Sequence, residues 1–187
     1  MSFPSLESAW ERNTFPYLRQ YREHSGPPVR LQGLAGAADA FLAADLLSSS
    51  DAPVVVAVEN AKRAEAFAED CRSYLGWESV CLLPSRDPVP YNMKSPFGPT
   101  IESRLRALAR MMDGERAVYV VPAPALLQKV PPRKELFNRI IRLETGDEVE
   151  REQLNVWLLE NGFHKETLVS DLGTFSVRGD LIDIYPF

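Results

Sequence analysis

The residues closest to a chemical motif are Gly33, Gly36, Ala38, Asp39 and Ala40, within Val29-Arg30-Leu31-Gln32-Gly33-Leu34-Ala35-Gly36-Ala37-Ala38-Asp39-Ala40. The order reads as a strand, a glycine turn and the start of a helix. A phosphate-binding loop, G-x-x-x-x-G-K-[ST], has this layout, with its lysine on the phosphates and its hydroxyl on Mg²⁺. Aligned on Gly33, the second glycine falls on Ala38, the lysine on Asp39 and the hydroxyl on Ala40. An aspartate in the lysine's place repels a triphosphate, and alanine offers the metal nothing. The pattern predicts the scaffold of a P-loop without its chemistry, and hence no catalytic, cofactor or metal residue.

Two rival chemistries use neighbouring residues. A dinucleotide site would take Gly33 and Gly36 as the phosphate turn and Glu59, at the end of the next strand, as the ribose acceptor. Its third glycine falls on Asp39, and Glu59 comes late. A DNA-binding face would draw on Arg104, Arg106, Arg110 and Arg116, with the loop around Tyr91. A net charge of −5 and a pI near 5.2 weigh against it. His24 and His164 stand apart from any nucleophile, Glu69-Asp70 falls on an exposed helix face, and Cys71 and Cys81 match no metal-ligand spacing.

The elements that position these residues follow from apolar periodicity. Phe3 to Glu23 reads as a helical lead-in whose Trp10, Phe15, Tyr17, Leu18 and Tyr21 dock on a core. Ala38 to Leu47 is expected to be helical, and Pro53 to Val58 is a continuous apolar run suited to a strand covered on both faces. Asn60 can cap a helix burying Ala64, Phe67, Ala68, Cys71, Tyr74 and Leu75. Strands are expected at Ser79–Leu83 and Ala117–Val121, with a helix from Thr100 to Met112 between them. That helix should turn Ile101, Leu105, Leu108, Met111 and Met112 inward and its arginines outward. Alternating strands and helices point to a doubly wound parallel sheet. Pro84 to Pro99, with Arg86, Asp87, Tyr91 and Lys94, reads as a loop beyond a strand's carboxyl end.

A short helix is expected over Pro124 to Val130, and Pro131-Pro132 marks a boundary. Beyond it, Ile140 to Leu143 reads as a strand, and Asp147 with Glu150 as the cap of a helix ending at Gly162, a natural C′ residue. Leu154, Trp157 and Leu158 form its apolar side. Thr174 to Arg178 and Leu181 to Tyr185 alternate as two strands joined through Gly179-Asp180. Period-two geometry sets Phe175 and Val177 on one face, Ser176 and Arg178 on the other. The last strand runs into Phe187, so the chain reads as a fragment of something longer. With no membrane-length apolar run and no leader pattern, a cytoplasmic setting is expected.

Four stretches carry a family resemblance. They are Leu31-x-Gly33-Leu34-x-Gly36-Ala37-Ala38; Leu83-Pro84 with Pro90-Tyr91, Ser95-Pro96 and Arg104-Leu105; Ala125 to Pro132; and Gly173-Thr174-Phe175-Ser176-Val177-Arg178-Gly179-Asp180-Leu181-Ile182-Asp183-Ile184-Tyr185-Pro186. From about Val29 onward the chain resembles the N-terminal part of the bacterial transcription-repair coupling factors (Mfd), whose module is shared with the excision-repair protein UvrB. UvrB keeps a working Walker motif and the coupling factors have lost it, so Asp39 and Ala40 place this chain with the latter. The resemblance implies a fold in three parts. A lead-in over 1–28 precedes a degenerate P-loop (RecA/helicase-like) α/β domain over 29–130, and a smaller α+β domain that binds UvrA follows over 131–187.

It also implies a non-catalytic recruitment module. RNA polymerase and DNA binding, and an ATP- and Mg-dependent translocase, would lie elsewhere in the parent protein. UvrB-like proteins place arginines at two alternating positions of the Thr-Phe-x-Val-Arg-Gly strand facing UvrA. Arg178 matches the second and Ser176 replaces the first. Arg142 and Lys165 are further candidates on charge and domain membership.

Overall fold

The computed structural model describes residues 28–86 and 98–186. These form two compact units. The first takes in residues up to Leu82 with Gly114–Ala123, the second Leu83–Asp113 with the chain from Pro124 onward.

The first unit contains helix α1 (Ala38–Ser48), strand β1 (Val54–Val58), helix α2 (Ala61–Leu75) and strands β2 (Val80–Leu82) and β3 (Val118–Pro122). The strands form a parallel sheet ordered β1-β3-β2, with Val54 and Val80 both opposite Val118 and Val56 and Leu82 both opposite Val120. The apolar run of β3 is buried throughout, as a central parallel strand requires. Ala40, Ala43 and Leu47 of α1 and Ala64, Phe67, Ala68 and Cys71 of α2 pack with Val80, Val118 and Val120. Phe41 and Tyr74 join the two helices edge to face at 5.5 Å. Asn60 caps α2 as its sequence predicts, its side-chain oxygen accepting from the Arg63 N–H at 2.9 Å.

One expected strand is absent. Residues 28–35 have no regular structure and join no ladder. Val29 and Leu31 are about half exposed, so their alternation has no core to face. Gly33 and Gly36, both at positive φ (82° and 61°), end any extended run within four residues.

The second unit begins with helix α3 (Gly98–Met112). After β3 come a single turn α4 (Ala123–Leu126), helices α5 (Arg133–Asn138) and α6 (Arg151–Glu160), and strands β4 (His164–Lys165), β5 (Thr174–Arg178) and β6 (Leu181–Tyr185). The expected helix over 124–130 is thus one turn, and α5 follows the two prolines that were read as a boundary. Ile140–Leu143 is not a strand: it is irregular, with Ile141 and Leu143 about half exposed and no ladder partner. Nor does Asp147 cap α6. Its carboxylate accepts from the Glu144 N–H at 2.8 Å inside a turn, while the carboxylate of Glu150, at the N-cap, accepts from the Gln153 side-chain amide.

The far end of α6 is as expected. Gly162 (φ 86°) donates to the Leu159 carbonyl at 3.2 Å and Phe163 to the Leu158 carbonyl at 3.0 Å, the paired bonds of a Schellman motif. The reversal drops Phe163 onto Leu158 within a core completed by Leu154 and Phe175. Gly162→Ala is expected to cost about 1 kcal/mol in urea denaturation, because its φ suits only glycine while the added methyl meets nothing within 4 Å.

The sheet order is β4-β5-β6, with β4 parallel and β6 antiparallel to β5. Among the described residues no helix is long and apolar enough to cross a membrane, and no group of His, Cys, Asp or Glu could hold a metal ion.

Candidate functional site

The glycine loop leads into α1, whose first turn carries Asp39 and Ala40. The Asp39 carboxylate accepts from the Ala40 N–H at 2.9 Å and is ion-paired with Arg63 of α2. Asp39 therefore satisfies one of the free N–H groups at the start of α1 with its own side chain. A cleft of about 480 Å³ beside β1 is lined by Asp39, Glu59 and Arg63 among apolar residues. Its lining holds two carboxylates against one guanidinium, and that guanidinium is already paired with Asp39. Cys71, beneath α1, is fully buried; burial, with Asp39 and Asp70 adding to it, pushes its thiol up to about 12. It is a core residue and not a nucleophile at neutral pH.

The arginines expected on an outward ridge have other tasks. Arg104 is buried, contrary to its expected outward aspect, because its guanidinium donates to the Pro84 carbonyl. Burial, and then repulsion from Arg86, lowers its pKa. Arg106 is paired with Glu102 on α3, and Arg116 donates to the carbonyls of Leu47 and Ser50. The N-terminal lead-in and Asp87, Tyr91 and Lys94 of the loop lie outside the described residues.

The β5–β6 hairpin has the boundaries its sequence predicts. Residues directly opposite share a face, so Phe175, Val177, Ile182 and Ile184 turn toward Leu154, Trp157 and Leu158 of α6. Thr174, Ser176, Arg178, Leu181, Asp183 and Tyr185 take the other face. That face is divided. Ser176 is only 1% exposed, because its short hydroxyl donates to the Thr167 carbonyl at 3.2 Å; Thr174 is closed off the same way by Asp171 at 2.6 Å. Arg178, Leu181 and Tyr185 stay open to solvent, with the Arg178 guanidinium paired to Asp183. Of the expected basic pair position, then, only Arg178 reaches the surface.

Arg151, at the start of α6, donates to the Gly179 carbonyl at 3.1 Å and lies 3.8 Å from Asp180, tying the hairpin turn to the helix. It also grips Glu152, whose pKa that hydrogen bond lowers. Lys165 is exposed on β4, beside β5. Arg142 is exposed and pairs with Asp113. Arg151 and Asp183 went unnoticed in the sequence. Asp183 was signalled by its place two residues from the partner of Arg178 across the hairpin; Arg151 carried no local signal.

A parallel α/β unit is thus followed by a unit whose sheet of β4, β5 and β6 packs its β5–β6 hairpin on α6 and presents an open arginine on the hairpin's other face. The family described as the UvrB interaction domain matches residues 141–187, the stretch holding α6 and the hairpin. The chain is 34% identical over 168 residues to the transcription-repair-coupling factor of Myxococcus xanthus, covering 86% of this chain and 14% of that protein. The corresponding figures for the Bacillus subtilis factor are 29% over 156 residues, 83% and 13%. For the Haemophilus influenzae factor they are 28% over 145 residues, 78% and 13%. Over most of its length the chain is thus similar to one segment of the transcription-repair-coupling factors, and its residues 141–187 match the UvrB interaction domain. It spans about one seventh of the length of these relatives.

Proposed function

We propose that this chain is a non-catalytic module that recruits UvrA through its second unit, with Arg178 as the central contact. The observation that carries the reading is the position of Arg178: it sits on the exposed end of a rigid hairpin, inside the stretch that matches the UvrB interaction domain. A guanidinium presents a planar fork that suits a carboxylate on a partner surface. Phe175 and its neighbours hold the strand beneath it, Ser176 locks the strand to the Thr167 carbonyl, and Arg151 fixes the turn. Lys165 adds charge along the adjacent strand, and Arg142 contributes at longer range.

The first unit serves as a degenerate P-loop scaffold. The residues present do not fit ATP and Mg²⁺: Asp39 and Glu59 line the cleft, Arg63 is paired, and Ala40 has no hydroxyl for a metal. We take 29–130 and 131–187 as the inherited domain division, with a cytoplasmic setting. In the intact protein, displacement of stalled RNA polymerase, movement on DNA and ATP hydrolysis would belong to parts outside this segment. A DNA-binding role has less support, since Arg104 in the second unit and Arg116 in the first are both spent on backbone carbonyls.

Co-elution with purified UvrA on a sizing column, paired with a calorimetric titration of MgATP into the chain alone, tests this reading. A stable UvrA complex and no heat from nucleotide are expected. Saturable ATP binding would restore the nucleotide-site alternative at Gly33 and Gly36.

A further inference from the structure

We infer that Asp183 is a built-in competitor for the surface that Arg178 offers its partner, so that binding requires an exchange of carboxylates on one guanidinium. This rests on the reading that Arg178 faces UvrA. The register opposes Ser176 to Asp183 and Arg178 to Leu181. Arg178 and Asp183 are therefore diagonal neighbours on one face, within reach of each other's long side chains. They form a direct ion pair in the free chain, with the arginine side chain 59% exposed and the aspartate 38% exposed. Their geometry is held from both sides. Ser176, opposite Asp183, is pinned to the Thr167 carbonyl, and Arg151 anchors the turn at Gly179.

The consequence is selective. One end of the Arg178 fork is occupied before any partner arrives. An incoming carboxylate that takes the edge of the fork holding this Nη2 bond must displace Asp183 to gain both parallel hydrogen bonds, whereas a merely acidic surface meets an arginine already neutralised. Asp183 thus lowers the affinity for every acidic surface and leaves the advantage to one that presents a carboxylate in bidentate geometry.

A double-mutant cycle on the whole chain against purified UvrA tests this. Asp183→Asn is expected to tighten binding about two- to fivefold, the range open to a solvent-exposed ion pair. In the Arg178→Ala background the same substitution should change nothing. Asp180→Asn, which removes an acid paired with Arg151 and not with Arg178, should tighten binding less than Asp183→Asn. Asp183→Ser serves as a second variant, and thermal melts establish that each is folded.

Weaker or unchanged binding by Asp183→Asn, with Arg178→Ala still impaired, overturns the competition while leaving the UvrA reading standing. Equal tightening with and without Arg178 overturns it too, since that is a general charge effect. If the folded wild-type chain does not bind UvrA, both the reading and the inference fall.

Discussion

Phe175→Ala is expected to destabilise the second unit by about 3–5 kcal/mol, the usual cost of emptying a phenylalanine site in a core. Phe175 is fully buried in the middle strand, opposite Lys165 on one side and Ile184 on the other. It packs with Leu154, Leu158 and Phe163, so its removal leaves a cavity bounded by a helix, a helix-ending turn and two strands. These elements cannot all collapse at once. A domain's entire stability is about 5–15 kcal/mol, so a loss of this size is a large part of the margin. Urea denaturation followed by Trp157 emission reads it, because Trp157 packs against the same cluster. A loss below about 1 kcal/mol would contradict the packing described.

Arg178→Ala is expected to weaken UvrA binding at least tenfold, about 1.4 kcal/mol, with no change in melting temperature. A buried interface arginine contributes about 2 kcal/mol or more when truncated. Breaking the Arg178–Asp183 pair offsets part of that, which favours an effect nearer tenfold than a hundredfold. Stability should hold because an exposed ion pair is worth at most about 1 kcal/mol, and often nothing measurable. Arg178→Lys should fall between the two, since lysine keeps the charge and loses the fork. Binding by calorimetry and melting by circular dichroism separate a lost contact from a lost fold.

Where the sequence told the fold correctly, it did so through local chemistry that needs no distant partner. Asn60 caps α2 by reaching three residues along its own chain, and Gly162 ends α6 because only glycine sits easily at that φ. The β5–β6 hairpin was legible to the residue because strict alternation flanks a two-residue turn. The misreadings share the opposite character. Val29–Gln32 and Ile140–Leu143 have strand-like composition, but a strand exists only if a ladder partner is supplied from elsewhere, and none is. β4 is two residues long and is defined wholly by its pairing with β5.

The candidate site divides along the same line. Arg178's outward aspect follows from period two, and the hairpin keeps it. Ser176 shares that period yet is buried, because a carbonyl nine residues away closes over it. Arg104 looked like one more outward helix arginine until the Pro84 carbonyl captured it. Asp39 was recognised as wrong for a phosphate, but its pairing with Arg63, 24 residues on, is a tertiary fact.

The central claim, recruitment of UvrA through the hairpin, is tested most directly by titrating purified UvrA with the wild-type chain and its Arg178→Ala variant side by side, without nucleotide. Saturable binding by the wild type and at least a tenfold loss in the variant are expected. Wild-type binding untouched by the substitution would contradict the assigned contact, and no binding by a chain shown to be folded would contradict recruitment itself.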